Sequence, residues 1–326
     1  MKQVQFEKPG RPGDVAICVD VPDPVISSAD QVLVRVDAFP INPADLLLFR
    51  GVYPRNPANG DALGNEATGI VEAVGANVRS VAPGDRVISL RTNNWRERLS
   101  LKETELIKLA PEIGMETAAI LKVNPATALL MLKSFTDLSP GDWVIQNAAN
   151  SAVGRAVIEI AGRQGIRTLN VVRRENLADD LRALGGDHVI VESDDLAERV
   201  AAITGQSGLK LGIDAVGGAA TGRLAQALGP AAMLVVYGAM SGQAMQADAG
   251  QFVFKDLRLR GFWLTKFLAE APRQTVISLY ETLSDLALDG AFKPEISGRF
   301  NVSNIQAALN HAEETMGRGK TLVTFD

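Results

Sequence analysis

The chain holds 326 residues, with 33 Lys and Arg against 38 Asp and Glu for a formal net charge of -5, and at roughly 150 residues per domain this length predicts two domains, each with its own core. Hydrophobic residues make up 46% and charged ones 22%, which excludes a disordered chain, and the absence of any Lys/Arg block removes the electrostatic footprint that nucleic acid requires. One cysteine, Cys18, and two histidines, His188 and His311, exclude both an intrachain disulfide and a Cys/His zinc tetrahedron.

In chain order, the opening MKQVQFEKPG carries Lys2, Glu7 and Lys8 with no apolar run behind them. This pattern predicts neither a secretory signal nor a transit peptide, hence a cytoplasmic protein. The runs VAICVDV, QVLVRVDAF, ATGIVEAV and RVISL, divided by Pro and Gly turns, make the first 120 residues mostly β. From Trp143 to about Phe262, WVIQNA, TLNVV, DHVIV, LGIDAV, MLVVYG and LRLRGFW alternate with amphipathic segments. Short buried strands separated by helices are what a doubly wound parallel sheet requires, so this half is read as an α/β nucleotide-binding domain. The uncharged stretch Leu224 to Ala247 is long enough to span a bilayer, but Gln226, Pro230, Ser241, Gly242, Gln243 and Gln246 predict helix, turn, strand and loop with no membrane. After Phe262 a helix (Arg273 to Asp289), a strand (Ile296 to Asn301), a helix (Ser303 to Glu314) and a strand (Thr321 to Phe325) break the alternation and return the chain to the first domain. The expected domains are 1–120 with 266–326, and 121–265.

Between the first strand and first helix of the second domain lies Asn147-Ala-Ala-Asn-Ser-Ala-Val-Gly154. Set against G-x-G-x-x-G, the three places are Ala149, Ser151 and Gly154, so only the last glycine remains. The context compensates: a strand precedes the loop, and Val153, Val157, Ile160 and Ala161 follow at helical spacing. Backbone N–H groups at that helix start would hold a pyrophosphate; the plain alternative is an ordinary β-α turn. The next strand ends in Arg173-Arg174, with Arg173 falling 19 residues after Gly154. An acidic residue there would select NAD through its ribose hydroxyls, whereas arginine suits the 2'-phosphate of NADP.

Together with the β-rich front, these residues resemble the medium-chain dehydrogenase/reductase superfamily over essentially the whole length, which implies a GroES-like catalytic domain joined to a Rossmann domain. Zinc-containing members carry Gly-His-Glu, whose His binds metal; this chain has Gly64-Asn65-Glu66, and Asn42-Pro-Ala-Asp45 lacks a ligand cysteine. The resemblance thus narrows to the zinc-free branch. Val123-Asn-Pro-Ala-Thr127, Asn147 to Gly154, Asn170-Val-Val-Arg173, Tyr237-Gly-Ala-Met240 and Phe254 to Leu264 are most similar to NADPH-dependent 2-enoyl thioester reductases of the kind found in mitochondrial fatty acid synthesis. The resemblance implies NADPH contacts at Asn124, Asn150, Ser151, Ala152, Val153, Arg173, Arg174, Tyr237, Gly238, Ala239, Met240, Phe262, Trp263, Leu264 and Lys320. Tyr237 and Met240 could instead close a strand, Phe262 and Trp263 could be core or dimer interface, and Lys320 could be a turn residue.

The catalytic tyrosine of the enoyl reductases sits in Gly-Asn-Tyr-Gly, and its counterpart here is Gly51-Val-Tyr53-Pro54. Because Gly-x-Tyr-Pro also occurs in zinc-free quinone reductases, three readings stand: an enoyl thioester reductase, a quinone or enone reductase, and a non-catalytic NADPH-binding protein. Without a metal, a conjugated double bond is the more tractable target. Hydride attacks the β carbon, charge moves to the thioester oxygen, and the α carbon takes a proton, for which Tyr53 is the candidate donor. The expected substrate is an acyl thioester of coenzyme A or acyl carrier protein. Seven arginines and no lysine between Arg50 and Arg98 form either a solvated face or a rim for such a phosphorylated carrier. The apolar run Leu257 to Leu264, at a sheet edge, predicts a homodimer.

Overall fold

The structure is a computed structural model that describes residues 1–325 except 56, 206 and 207. The chain divides into unit 1, Met1–Val123 with Glu270–Asp326, and unit 2, Asn124–Ala269. Unit 1 opens with β1 (Lys2–Gln5) and β2 (Ile17–Asp20), an antiparallel pair. Then come β3 (Gln31–Pro40), β4 (Thr68–Val74), β5 (Arg86–Ser89), β6 (Arg98–Lys102) and β7 (Leu106–Lys108). The run read as VAICVDV is shorter than expected as a strand, because Pro12, which presets φ for a first helical turn, starts a helical turn at Pro12–Val15.

Unit 2 contains β8 (Trp143–Gln146), β9 (Arg167–Val172), β10 (His188–Val191), β11 (Leu211–Asp214), β12 (Met233–Val236) and β13 (Arg258–Gly261). They form one wholly parallel sheet in the order β10-β9-β8-β11-β12-β13. Between successive strands run helices including Ala152–Arg163, Leu196–Thr204 and Gly218–Ala227, as crossovers between parallel strands demand. Winding runs outward in both directions from the β8/β11 boundary, which is the topological switch point where such sheets bind ligands. Leu169, Val171, Ile190, Ile213 and Leu234 are each at most 2% exposed. In contrast, all four residues of β13 are exposed: it is an edge strand with Arg258 and Arg260, and not a strand covered on both faces.

The chain then returns to unit 1 with the helix Arg273–Leu288, β14 (Ile296–Asn301), the helix Ile305–Glu314 and β15 (Lys320–Thr324). The larger sheet of unit 1 runs β14-β15-β3-β4-β5-β7, with β6 paired to β3. Its core gathers Phe39, Phe49 and Trp95, all fully buried, with Phe39 and Trp95 stacked at 5.0 Å. Cys18 is half-buried against this core. Among the described residues no helix is long and apolar enough to cross a membrane; the stretch from Leu224 ends one helix, forms β12 and continues as loop.

Candidate active site

In unit 2 the expected cofactor residues follow the carboxyl ends of the strands. Asn150 and Ser151 follow β8, with Ala152 and Val153 opening the next helix; Arg173 and Arg174 follow β9, Tyr237 to Met240 follow β12, and Phe262 to Leu264 follow β13. Ser151 caps its helix, Oγ accepting from Gly154 N at 3.1 Å, which leaves the remaining first-turn N–H groups facing outward for an anion. Gly154 is required by packing: a Cβ there would lie 2.5 Å from Ala149 O and 2.7 Å from Ala149 C. Ala148, at φ 46°, makes the left-handed turn that sends the loop back over the strand end.

The switch point is held by side chains. Asn147 Nδ2 donates to Asp214 Oδ1 at 2.6 Å, and Ala215 N donates to Asn147 Oδ1 at 2.7 Å, so the ends of β8 and β11 are stitched together. Thr221 Oγ1 donates to Asp214 Oδ2 at 2.6 Å, filling the second oxygen. Each of these groups is at most 2% exposed and satisfied, which keeps the loop geometry fixed. Tyr237 shares a side-chain hydrogen bond with Ser151 across the same boundary, and burial of its hydroxyl pushes it up to about 12. It is therefore a phenol at every physiological pH.

Arg173 and Arg174 are exposed and, among the described residues, make no ion pair. Two free guanidinium groups one strand from the Ser151 loop suit a phosphate. Met240 N donates to Ala215 O and Phe262 N to Val236 O, tying the 237–240 and 262–264 segments to their strands. Phe262 also packs edge-on against Phe135 at 6.0 Å, whereas Trp263 is 40% exposed. Asn124 is buried at the start of the helix Asn124–Ser134.

The remaining two expected residues, Tyr53 and Lys320, belong to unit 1. Lys320 is not in a surface turn: it is buried at the start of β15, and Nζ donates to Asn42 Oδ1 at 2.5 Å. Asn42 Nδ2 donates to Glu66 Oε1 at 2.7 Å, and Glu66 Oε2 accepts from Val123 N at 3.0 Å. Asp45 accepts from Asn42 N, Asn65 N and Asn65 Nδ2. Lys122, 3% exposed, donates its ammonium to the carbonyls of Asn65 and Arg91. The approach of these loops needs Gly64, whose φ of +104° and contact with the Trp95 indole leave no place for a Cβ. Burial pushes Asp45 up to about 6 and Lys122 down to about 7; it raises Glu66 and lowers Lys320, while attraction between the opposite charges opposes each shift. Tyr53 lies half-buried against the unit 1 core, two residues from Arg55.

Asn147, Asp214, Arg55 and Lys122 escaped the sequence reading. Lys122 had a signal: it is the only charge between Thr117 and Leu132, and a lone lysine in an apolar run requires a buried partner. The other three look like ordinary turn and strand-end residues until the chain is folded. Of the arginines between Arg50 and Arg98, Arg50 pairs with Glu313, Arg86 with Asp37 and Arg98 with Glu72, so these are partnered surface charges. His188 packs at a tilt against Trp143, and His311 against Phe300.

Residues 28–115 match the alcohol dehydrogenase GroES-like domain family and residues 152–282 the zinc-binding dehydrogenase family. The chain is 42% identical to the mitochondrial enoyl-[acyl-carrier-protein] reductase of Caenorhabditis elegans over 82% of this chain and 79% of that protein. It is 36% identical to the human mitochondrial enoyl-[acyl-carrier-protein] reductase over 97% and 87% respectively. A solved complex of Etr1p with NADP and crotonyl-CoA superposes with a TM-score of 0.88 at 27% identity over 99% of both chains. These relatives are mitochondrial, which overturns the cytoplasmic expectation. The ten residues behind that expectation form β1 and the bend after it. The zinc named by one family does not suit the residues here. The amides of Asn42 and Asn65 already serve Glu66 and Asp45, and two ammonium groups supply the cluster's positive charge.

Proposed function

As a member of the enoyl thioester reductases of the medium-chain dehydrogenase/reductase superfamily, the chain is an NADPH-dependent reductase of 2-enoyl thioesters, and we propose that Tyr53 and the carboxyl-edge residues of unit 2 carry the reaction. The observation that carries the assignment of residues is the Ser151 cap at the switch point, Oγ accepting from Gly154 N at 3.1 Å, with exposed Arg173 and Arg174 one strand away that make no ion pair among the described residues.

When bound, NADPH supplies the hydride for the β carbon of the enoyl group. The N–H groups of the first turn at Ala152 and Val153 would hold the pyrophosphate, with the helix dipole behind them. Arg173 and Arg174, exposed after β9, would take the 2'-phosphate. Tyr237, a neutral phenol, braces the Ser151 loop and with Gly238, Ala239 and Met240 would contact the cofactor, as would Asn124, Asn150, Phe262, Trp263 and Leu264 of the same unit. Tyr53 delivers a proton from its hydroxyl to the α carbon as the thioester enolate collapses, and the phenolate left behind is reprotonated by water. Because a conjugated thioester spreads the incoming charge onto its oxygen, hydrogen-bond donors would suffice there in place of a metal.

The substrate's acyl group is carried by coenzyme A or by acyl carrier protein in fatty acid metabolism, and two copies pair through the exposed edge strand β13. The deciding experiment is NADPH oxidation with a crotonyl thioester and with a quinone, side by side, for the native chain and Tyr53→Phe. The expected result is thioester turnover that falls roughly 10²- to 10⁴-fold in the variant, with NADPH affinity nearly unchanged. Turnover of the quinone alone, or NADPH binding with turnover of neither, overturns the thioester reading; an unimpaired Tyr53→Phe removes Tyr53 as the acid.

A further inference from the structure

We propose that Arg55 is a positioning residue for Tyr53, a guanidinium tether that fixes the tyrosine loop so that its hydroxyl is aimed for proton delivery. The proposal rests on the reading of Tyr53 as the acid.

In the loop that carries Tyr53, Arg55 N donates to Tyr53 O at 2.7 Å, a tight turn across Pro54 that ties the two residues together. The Arg55 side chain anchors this turn. Nη1 and Nη2 both donate to Thr92 O at 3.2 Å, and Nη2 donates to Asn93 Oδ1 at 3.1 Å. A planar fork bridging two acceptors fixes direction as well as distance, which a lysine cannot do.

The receiving turn is itself immobilised. Asn94 Nδ2 donates to Arg91 O at 2.6 Å and to Gly64 O at 3.2 Å, and the Lys122 ammonium grips Arg91 O and Asn65 O. Asn65 leads to Asp45, so the backbone of the 91–94 turn joins the hydrogen bonds of Arg55 to those of the buried ion cluster within unit 1. Among the described residues Arg55 has no carboxylate within ion-pair distance, and its half-buried charge is sustained by amide and carbonyl oxygens and by longer-range attraction to Asp45 and Asp61. A half-buried guanidinium spent on two neutral acceptors is costly as stability alone, and its place two residues from the proposed acid accounts for that cost. A catalytic group displaced by an ångström loses roughly 10²-fold in rate, so a tether of this kind acts on kcat.

The test uses the full chain with NADPH and crotonyl-CoA. Arg55→Ala is expected to lower kcat about 10- to 100-fold, with KM for the thioester and the Kd of NADPH within about twofold, and millimolar guanidinium ion is expected to restore part of the loss. Combined with Tyr53→Phe, it should add no more than about twofold, because a tether has nothing left to aim. Should Arg55→Ala fail to fold, Asn93→Ala, which deletes one acceptor, is read for the same lowering of kcat at constant KM. A variant with native kcat, a loss confined to KM, or losses that multiply in the double variant overturns the tether while leaving Tyr53 in place. An unimpaired Tyr53→Phe overturns the acid and the tether with it.

Discussion

Lys320 Nζ and Asn42 Oδ1 lie 2.5 Å apart, and through Asn42 the lysine shares the carboxylate of Glu66. Residues from β15, from the end of β3 and from the loop before β4 thus meet in one buried charge cluster. Glu66 is fully buried, so removing its cation leaves a charge in a low-dielectric site. Lys320→Met is expected to destabilise the folded chain by about 3 to 5 kcal/mol, the usual cost of breaking a buried pair from one side. Denaturant unfolding in the absence of cofactor measures it; a loss under 1 kcal/mol would show that Glu66 is neutral without Lys320.

A pH signature follows from Asp45, whose carboxyl burial pushes up to about 6 from 3.8. Between these values the folded chain binds a proton that the unfolded chain has released, so this group's contribution to stability is fully present below about 4 and is lost as pH rises through 6. Asp45→Asn removes that dependence. The stability gap between native chain and variant is therefore expected to widen by about 2 kcal/mol from pH 8 to pH 4. Unfolding curves of both chains at the two pH values check it, and a gap that narrows toward acid would reverse the sign assigned here.

Gly154→Ala tests the one glycine left in the cofactor loop. Its Cβ would press on Ala149 O at 2.5 Å, a backbone atom that cannot swing aside, so the loop must shift and the Ser151 cap opens. A loss of about 1 to 3 kcal/mol in stability is expected together with at least tenfold weaker NADPH binding. Equilibrium titration of NADPH fluorescence provides the readout, and native affinity would mean that the first-turn N–H groups do not hold the cofactor.

Arg173 and Arg174 bear on cofactor choice. Each charge-assisted contact to the 2'-phosphate contributes about 1.5 to 3 kcal/mol, so the native chain should prefer NADPH over NADH by more than tenfold. Changing both arginines to Ala should remove most of that preference by weakening NADPH while leaving NADH nearly as before. Paired dissociation constants for the two cofactors, native and variant, decide the matter; equal values in the native chain would contradict it.

Much of this molecule is written locally in its sequence. The alternation of short apolar runs with amphipathic segments from Trp143 onward is legible because strand and helix periods are properties of neighbouring residues, and the parallel sheet follows from that alternation. The loop from Asn147 to Gly154 and the Arg173-Arg174 pair are likewise recognisable, since a strand end followed by a helix start is a short-range pattern. Compartment is not legible in the first ten residues, which form β1 and the bend after it. What only the tertiary structure decides is which distant residues share a buried charge. Asn42, Asp45, Asn65, Glu66, Lys122 and Lys320 come from four separated segments, and no local spacing relates Lys320 to Asn42, 278 positions away. The same holds for Asn147 with Asp214 and for Arg55 with Asn93. A lone lysine or aspartate announces only that its burial must be compensated; its partner is selected by the register of strands and the closing of loops, which depend on packing of the whole unit.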